Sequence, residues 1–103
     1  MLEREFQRNV VQWLREKGAY VIKTPGGVAG IPTGCPDVIA LFPNDFWVAL
    51  EVKASKTAKK QPLQQATIDK LDAMGYARFV HPTNWAKIRR EIQELIIVME
   101  IGQ

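Results

Sequence analysis

Pro36-Asp37-Val38-Ile39-Ala40-Leu41-Phe42-Pro43-Asn44-Asp45-Phe46-Trp47-Val48-Ala49-Leu50-Glu51-Val52-Lys53 is the stretch whose reading decides the fold. Two apolar runs of strand length flank Pro43-Asn44-Asp45, which is turn chemistry. A hairpin closed by those three residues sets Phe42 against Phe46. Counting back from the turn, Asp37 falls directly opposite Glu51. Opposed side chains in such a ladder lie about 5 Å apart, and like charges there destabilise it. A divalent cation held by both carboxylates would turn that liability into a site, because hard ions take oxygen ligands. Lys53 lies two residues beyond Glu51 and shares its face through the period of two. Two carboxylates and a lysine on one sheet face form the pattern of a metal-dependent phosphodiesterase site.

The neighbours of Glu51 strengthen this reading. Trp47 and Ala49 share its face, while Phe46, Val48, Leu50 and Val52 line the other. A strand that is apolar on both faces is expected to be buried, and a carboxylate there is costly unless paired. A solvent-facing Glu51–Lys53 pair fits that pattern less well. Asp37 taken alone could be an ordinary turn aspartate after Pro36.

Outward from the hairpin, the chain predicts seven elements in the order α-β-β-β-α-β-α. Leu2, Phe6, Val10, Trp13 and Leu14 have helical spacing over residues 2–17, and Gly18 ends that helix. Residues 19–24 read as a strand. Residues 25–34 hold four glycines and two prolines and read as a loop. The loop lacks the Gly-Lys-Ser/Thr of a phosphate loop and reads as a flap beside Asp37. Pro62 suits the first turn of a helix that runs to about Met74 and stops at Gly75. Residues 76–80 read as a fourth strand. Thr83 or Asn84 can cap a last helix carrying Trp85, Ile88, Ile92 and Leu95. The apolar tail 96–101 fits either a helix end or a strand. The expected fold is α/β, a small mixed sheet flanked by helices, in a single domain over residues 1–103.

Composition sets bounds. The 103 residues suffice for one core, and 47% are apolar. No run approaches the ~20 apolar residues of a membrane span, and the N-terminus lacks the apolar core of a signal peptide. The single cysteine, Cys35, has no partner for an internal disulfide, and no Cys/His cluster points to zinc. A reduced, cytoplasmic setting is therefore expected. A net charge of +3 permits a polyanionic partner without requiring one.

Other side chains join the candidate site. Glu3 lies on the same helical stripe as Val10 and Leu14, whereas Glu5 points away. An inward carboxylate needs a partner, although a charge near a helix N-terminus also suits the macrodipole. Gln64 shares a stripe with Ile68 and Leu71, so its amide could bond Lys53 or a water; Gln65 is rotated outward. Lys56, Lys59 and Lys60 follow the Glu51–Lys53 strand end, where a phosphate backbone would have to pass; with Lys23 they are the candidate DNA contacts. His81 is alone and reads as structural, and Trp13, Trp47 and Trp85 read as core.

Together these residues resemble the PD-(D/E)XK nuclease superfamily, and within it a stand-alone virus-type replication-repair nuclease (VRR-NUC) domain. The resemblance runs from Glu3-x-x-x-Gln7 through Gly34-Cys35-Pro36-Asp37 and Glu51-Val52-Lys53 to the helix of Gln64, Ile68, Leu71 and Gly75. It covers the chain to about Val80 and leaves the final helix and tail unassigned. It implies a restriction-endonuclease-like fold and hydrolysis of DNA phosphodiesters with magnesium or manganese. Asp37 and Glu51 would hold the ion with the Val52 carbonyl, and Glu3 would complete the shell or hold a second ion. Lys53 would act on the water or the oxyanion, with Gln64 orienting it. Stand-alone members are similar to dimeric Holliday-junction resolvases, which implies branched DNA as substrate and a homodimer. The resemblance also suggests a phage or mobile-element origin, and so the host cytoplasm. The alternatives are a non-catalytic nucleic-acid-binding module of the same fold and, from the apolar tail alone, a protein-interaction domain.

Overall fold

The computed structural model describes residues 1–26 and 28–102. Helix α1 (Glu3–Glu16) is followed by strands β1 (Tyr20–Lys23), β2 (Val38–Phe42) and β3 (Phe46–Val52), then helix α2 (Pro62–Met74), strand β4 (Tyr76–Val80) and helix α3 (Trp85–Ile101). The order and the mixed sheet are those expected of a restriction-endonuclease-like fold. The loop expected over residues 25–34 carries no helix or strand at its described positions; Gly27 lies outside them.

The sheet order is β1-β2-β3-β4. The first three strands form an antiparallel meander, and α2 carries the chain across to β4, parallel to β3. Phe42 pairs with Phe46 and Val38 with Leu50, so the register is the one the three-residue loop demands. Asn44 and Asp45 absorb the reversal at φ 69° and 65°, a region that Asn and Asp enter more readily than other side chains. The Phe42 and Phe46 rings stack with centroids 4.6 Å apart.

Alternation sends β3 into two cores. Val48, Leu50 and Val52 face α1 and α3, packing with Phe6, Val10, Leu14, Val38, Val80, Ile88 and Ile92. Ala49 pairs with Ala77 of β4 on the other face, under Ile68 of α2. Those two small side chains let the helix lie close. Gly75 serves the same end, since a Cβ there would come 2.7 Å from the Trp47 ring. The tryptophans lie at the core margins and are half-buried.

Two local expectations change. Asn84 stands at the head of α3 but makes no side-chain cap. Its amide instead accepts from His81 N at 2.9 Å and donates to the Phe79 carbonyl at 3.0 Å, tying the helix start back to β4. The tail is helix throughout, because Leu95 and Ile96 still reach the first core and hold the last turns against it.

Candidate active site

Three strand ends meet at one end of the sheet. β3 and β4 are parallel, so their carboxyl ends lie side by side, and the antiparallel β2 begins there. Asp37 precedes β2, and its Oδ2 accepts the Val52 N–H at 2.9 Å. Its backbone is held from the other side: the Thr24 N–H donates to the Asp37 carbonyl at 2.9 Å, and the Thr24 hydroxyl donates to the Pro36 carbonyl. Gly34 fixes the approach to Asp37. It sits at φ 85°, and a Cβ would come 2.8 Å from the Leu63 carbonyl oxygen, so the loop can press against the start of α2 only with glycine there.

Glu51 is buried, and its Oε1 has no hydrogen-bond partner among the described residues. A carboxylate in that position is unstable as an anion. Burial first, then the adjacent Asp37 carboxyl and a smaller push from Glu3, raise its pKa to about 8 against the opposing charge of Lys53. The group has lost its water and gained a negative neighbour, so a proton or a cation must satisfy it.

Lys53 is also buried. Its Nζ donates to Gln64 Oε1 at 2.9 Å, and the same oxygen accepts the Gln61 N–H at 3.1 Å. Gln64 thus closes the first turn of α2 and holds the lysine. Gln65 is exposed and bonds Asp69 within its own helix at 2.9 Å. Beside the carboxylates, the loop walls a hollow of about 540 Å³ that includes Pro25, Val28, Ile31, Cys35, Asp37 and Gln64 in its lining.

The structure brings Asp37, Glu51, Lys53 and Gln64 together and treats the rest differently. Glu3, the first residue of α1, is exposed rather than sunk in the core; its charge nonetheless acts on Glu51. Among the described residues, no three His, Cys, Asp or Glu side chains converge as a metal-binding group. Lys56, Lys59 and Lys60 are exposed past the end of β3. Lys23 is not with them. It shares a hollow with Arg8 and Arg15 between α1 and β1, on the α1 face of the sheet. Sequence reasoning missed those arginines, whose i, i+7 spacing on α1 was the available signal. It missed Thr24 too; the β1–β2 register puts Thr24 across from Asp37.

An aspartate entering β2 and a Glu-Val-Lys closing β3, on this sheet, define a PD-(D/E)XK nuclease. Residues 3–100 match the model of the archaeal Holliday junction resolvase (Hjc) family, and the chain belongs to that family. The match extends through nearly all of α3, beyond the motifs that carry the chemistry. Among curated proteins, none matches the chain.

Proposed function

We propose that the chain is a magnesium- or manganese-dependent endodeoxyribonuclease that cuts branched DNA, four-way junctions among it, as a homodimer. The observation that carries this reading is the unpartnered Glu51 Oε1, buried beside Asp37 and Lys53 where three strand ends meet. Asp37 and Glu51 carboxylates with the Val52 carbonyl are an all-oxygen donor set, which fits a hard divalent cation. Water and substrate oxygens complete it, and Glu3 is near enough to add charge. When bound, the ion would neutralise the scissile phosphate and acidify an attacking water.

The chain's own residues do the remainder. The Val52 N–H fixes the Asp37 carboxylate. Lys53 sets its amine beside the carboxylates, where it stabilises charge that develops on the phosphoryl oxygens. Gln64 fixes the amine's direction. Lys56, Lys59 and Lys60, with Lys23 on the far face, hold flanking phosphates and give affinity without sequence information.

Within the superfamily, Gly34-Cys35-Pro36-Asp37 and the trailing Gln64 helix also ally the chain with VRR-NUC domains. That likeness is the basis for proposing a phage origin and action in the host cytoplasm, where Cys35 stays a thiol. A non-catalytic binding module of the same fold is the second reading, and the complete set of Asp37, Glu51 and Lys53 favours the enzyme. The test is incubation with linear, flap and four-way DNA in magnesium, manganese and EDTA. Paired cuts across the four-way junction in either metal, and none in EDTA, are expected. Binding without cutting in every metal would leave only the module.

A further inference from the structure

His81 is the only histidine of the chain and immediately follows β4. The preceding residue, Val80, pairs with Val52, and its carbonyl accepts the Lys53 N–H at 2.9 Å. Ala77 and Phe79 face α2, so alternation carries His81 to the face of Glu51 and Lys53. Its main chain is fixed by Asn84, which takes the His81 N–H at 2.9 Å and donates its own N–H to the His81 carbonyl at 3.1 Å. The ring is half-buried, and Nδ1 is shielded with no partner among the described residues. A proton on Nδ1 would lie without an acceptor, so the neutral ring carries it on Nε2 as a donor.

The surroundings are basic. Lys60 Nζ lies 4.5 Å from the centroid of the Phe79 ring, which anchors it beside the end of β4. Burial, then Lys60 and Lys56, hold the imidazole below its ordinary pKa, and no carboxylate opposes them. A hydrogen-bond donor and two ammonium groups share this end of the sheet. Adjacent strands lie about 4.8 Å apart, so a group at the end of β4 is close enough to the end of β3 to reach a phosphate that neighbours one seated there.

We propose that His81, Lys56 and Lys60 form a subsite for a DNA phosphodiester flanking the one that is cut, with His81 donating through Nε2 and the lysines supplying charge. This rests on the nuclease reading and assigns His81 a positioning role within it. A single histidine makes the test clean. In EDTA, a ¹⁵N-histidine-labelled chain is titrated with a short oligothymidylate and, separately, with thymidine, which has no phosphate. Saturable movement of the Nε2 signal with the oligonucleotide alone is expected; equal movement with both would overturn the subsite.

In parallel, binding and cutting of four-way DNA are compared for the wild type, His81→Ala and His81→Gln. The alanine variant should weaken binding about tenfold and raise KM with little change in kcat, while glutamine, which keeps an N–H donor, restores most of the loss. Wild-type binding and cutting with an unmoved histidine signal and an undisturbed His81→Ala would overturn the subsite alone. A wild type that binds no DNA would overturn the nuclease reading and the subsite with it.

Discussion

Lys53 and Gln64 meet between β3 and α2, with Nζ donating to Oε1 at 2.9 Å, while that oxygen also takes the Gln61 N–H at 3.1 Å. One side-chain carbonyl therefore caps a helix and aims a lysine. Gln64→Ala should cost about 1 kcal/mol of stability through the lost cap and about 10–100-fold in turnover through the freed lysine. Gln65→Ala should do neither, since its amide bonds only Asp69. Thermal melts and single-turnover cleavage compare the pair, and equal losses would remove the special role of Gln64.

Lys53→Ala should lower turnover by about 10²–10³-fold, the scale of losing one group that stabilises transition-state charge. Metal binding needs a pH-controlled comparison. Lys53 is the one group that draws the Glu51 pKa down, so its removal drives that pKa higher and weakens ion binding near neutrality. Calorimetric titration with magnesium across a pH series should show the variant's binding displaced to higher pH, whereas a loss that no rise in pH reduces would make Lys53 a structural partner of Glu51.

Glu51 also makes a statement about stability. Its folded pKa, about 8, stands above the ordinary 4.5, so between these values the folded chain binds more protons than the unfolded one. The metal-free protein should be most favoured by this group below pH 4.5 and lose that contribution as pH rises through 8. Glu51→Gln should flatten this dependence and raise the melting temperature at pH 8, while abolishing cleavage. Asp37→Asn should also abolish cleavage and relieve the repulsion, and its remaining carbonyl oxygen can still accept the Val52 N–H. A melt of Glu51→Gln that follows wild type from pH 5 to 8.5 would show that the carboxyl is not stressed.

The hairpin was legible because short-range chemistry decided it. Pro43-Asn44-Asp45 set the loop length, the length set the register, and the register set Asp37 against the end of β3. Gln64 was legible for a similar reason: one helical phase fixes which of two glutamines turns inward. What failed depended on relations between elements. Helical phase put Glu3 on the core stripe but could not show that the first residue of α1 stays exposed. Asn84 had the right residue type for a cap, yet the end of β4 offered a stronger pair of partners. His81 looked solitary because Lys56 and Lys60 approach it through the β3–α2 crossover rather than along the chain.

Glu3 and Glu5 provide a direct test of the reach of Glu3 to the site. Both are exposed, but Glu3 is the one whose charge acts on Glu51; Glu5 turns back to the Leu2 N–H at 3.4 Å. Glu3→Gln should therefore reduce cleavage, and most at low metal concentration, where an added carboxylate matters most for ion affinity. Glu5→Gln should leave cleavage near wild type. Equal cleavage by the two variants across a magnesium titration would remove Glu3 from the site.

Assembly is the remaining expectation. Resolving a four-way junction takes two symmetric cuts, and the described residues hold one candidate site, at Asp37, Glu51 and Lys53; a two-fold dimer is the commonest closed way to supply a second. The apolar tail offers Ile96, Ile97, Val98, Met99 and Ile101 as candidates for the contact. The structure narrows that set. Ile96 packs on the first core, while Met99 lines a hollow with Trp47, Met74 and Leu95. Ile97, Val98 and Ile101 remain, 47%, 61% and 79% exposed, with Ile97 and Ile101 one helical turn apart. Three large apolar side chains on one helix end, beside a hollow that an apolar side chain could enter, have the character of a contact surface. Light scattering at micromolar protein should report about twice the 11.7 kDa chain mass. Val98→Glu with Ile101→Glu should return the monomer without unfolding it, since neither residue lies in the core. The monomer should still nick flap DNA while losing paired cuts on the junction. A wild type that is monomeric at that concentration and still makes paired cuts would refute the assembly and leave the chemistry of Asp37, Glu51 and Lys53 untouched.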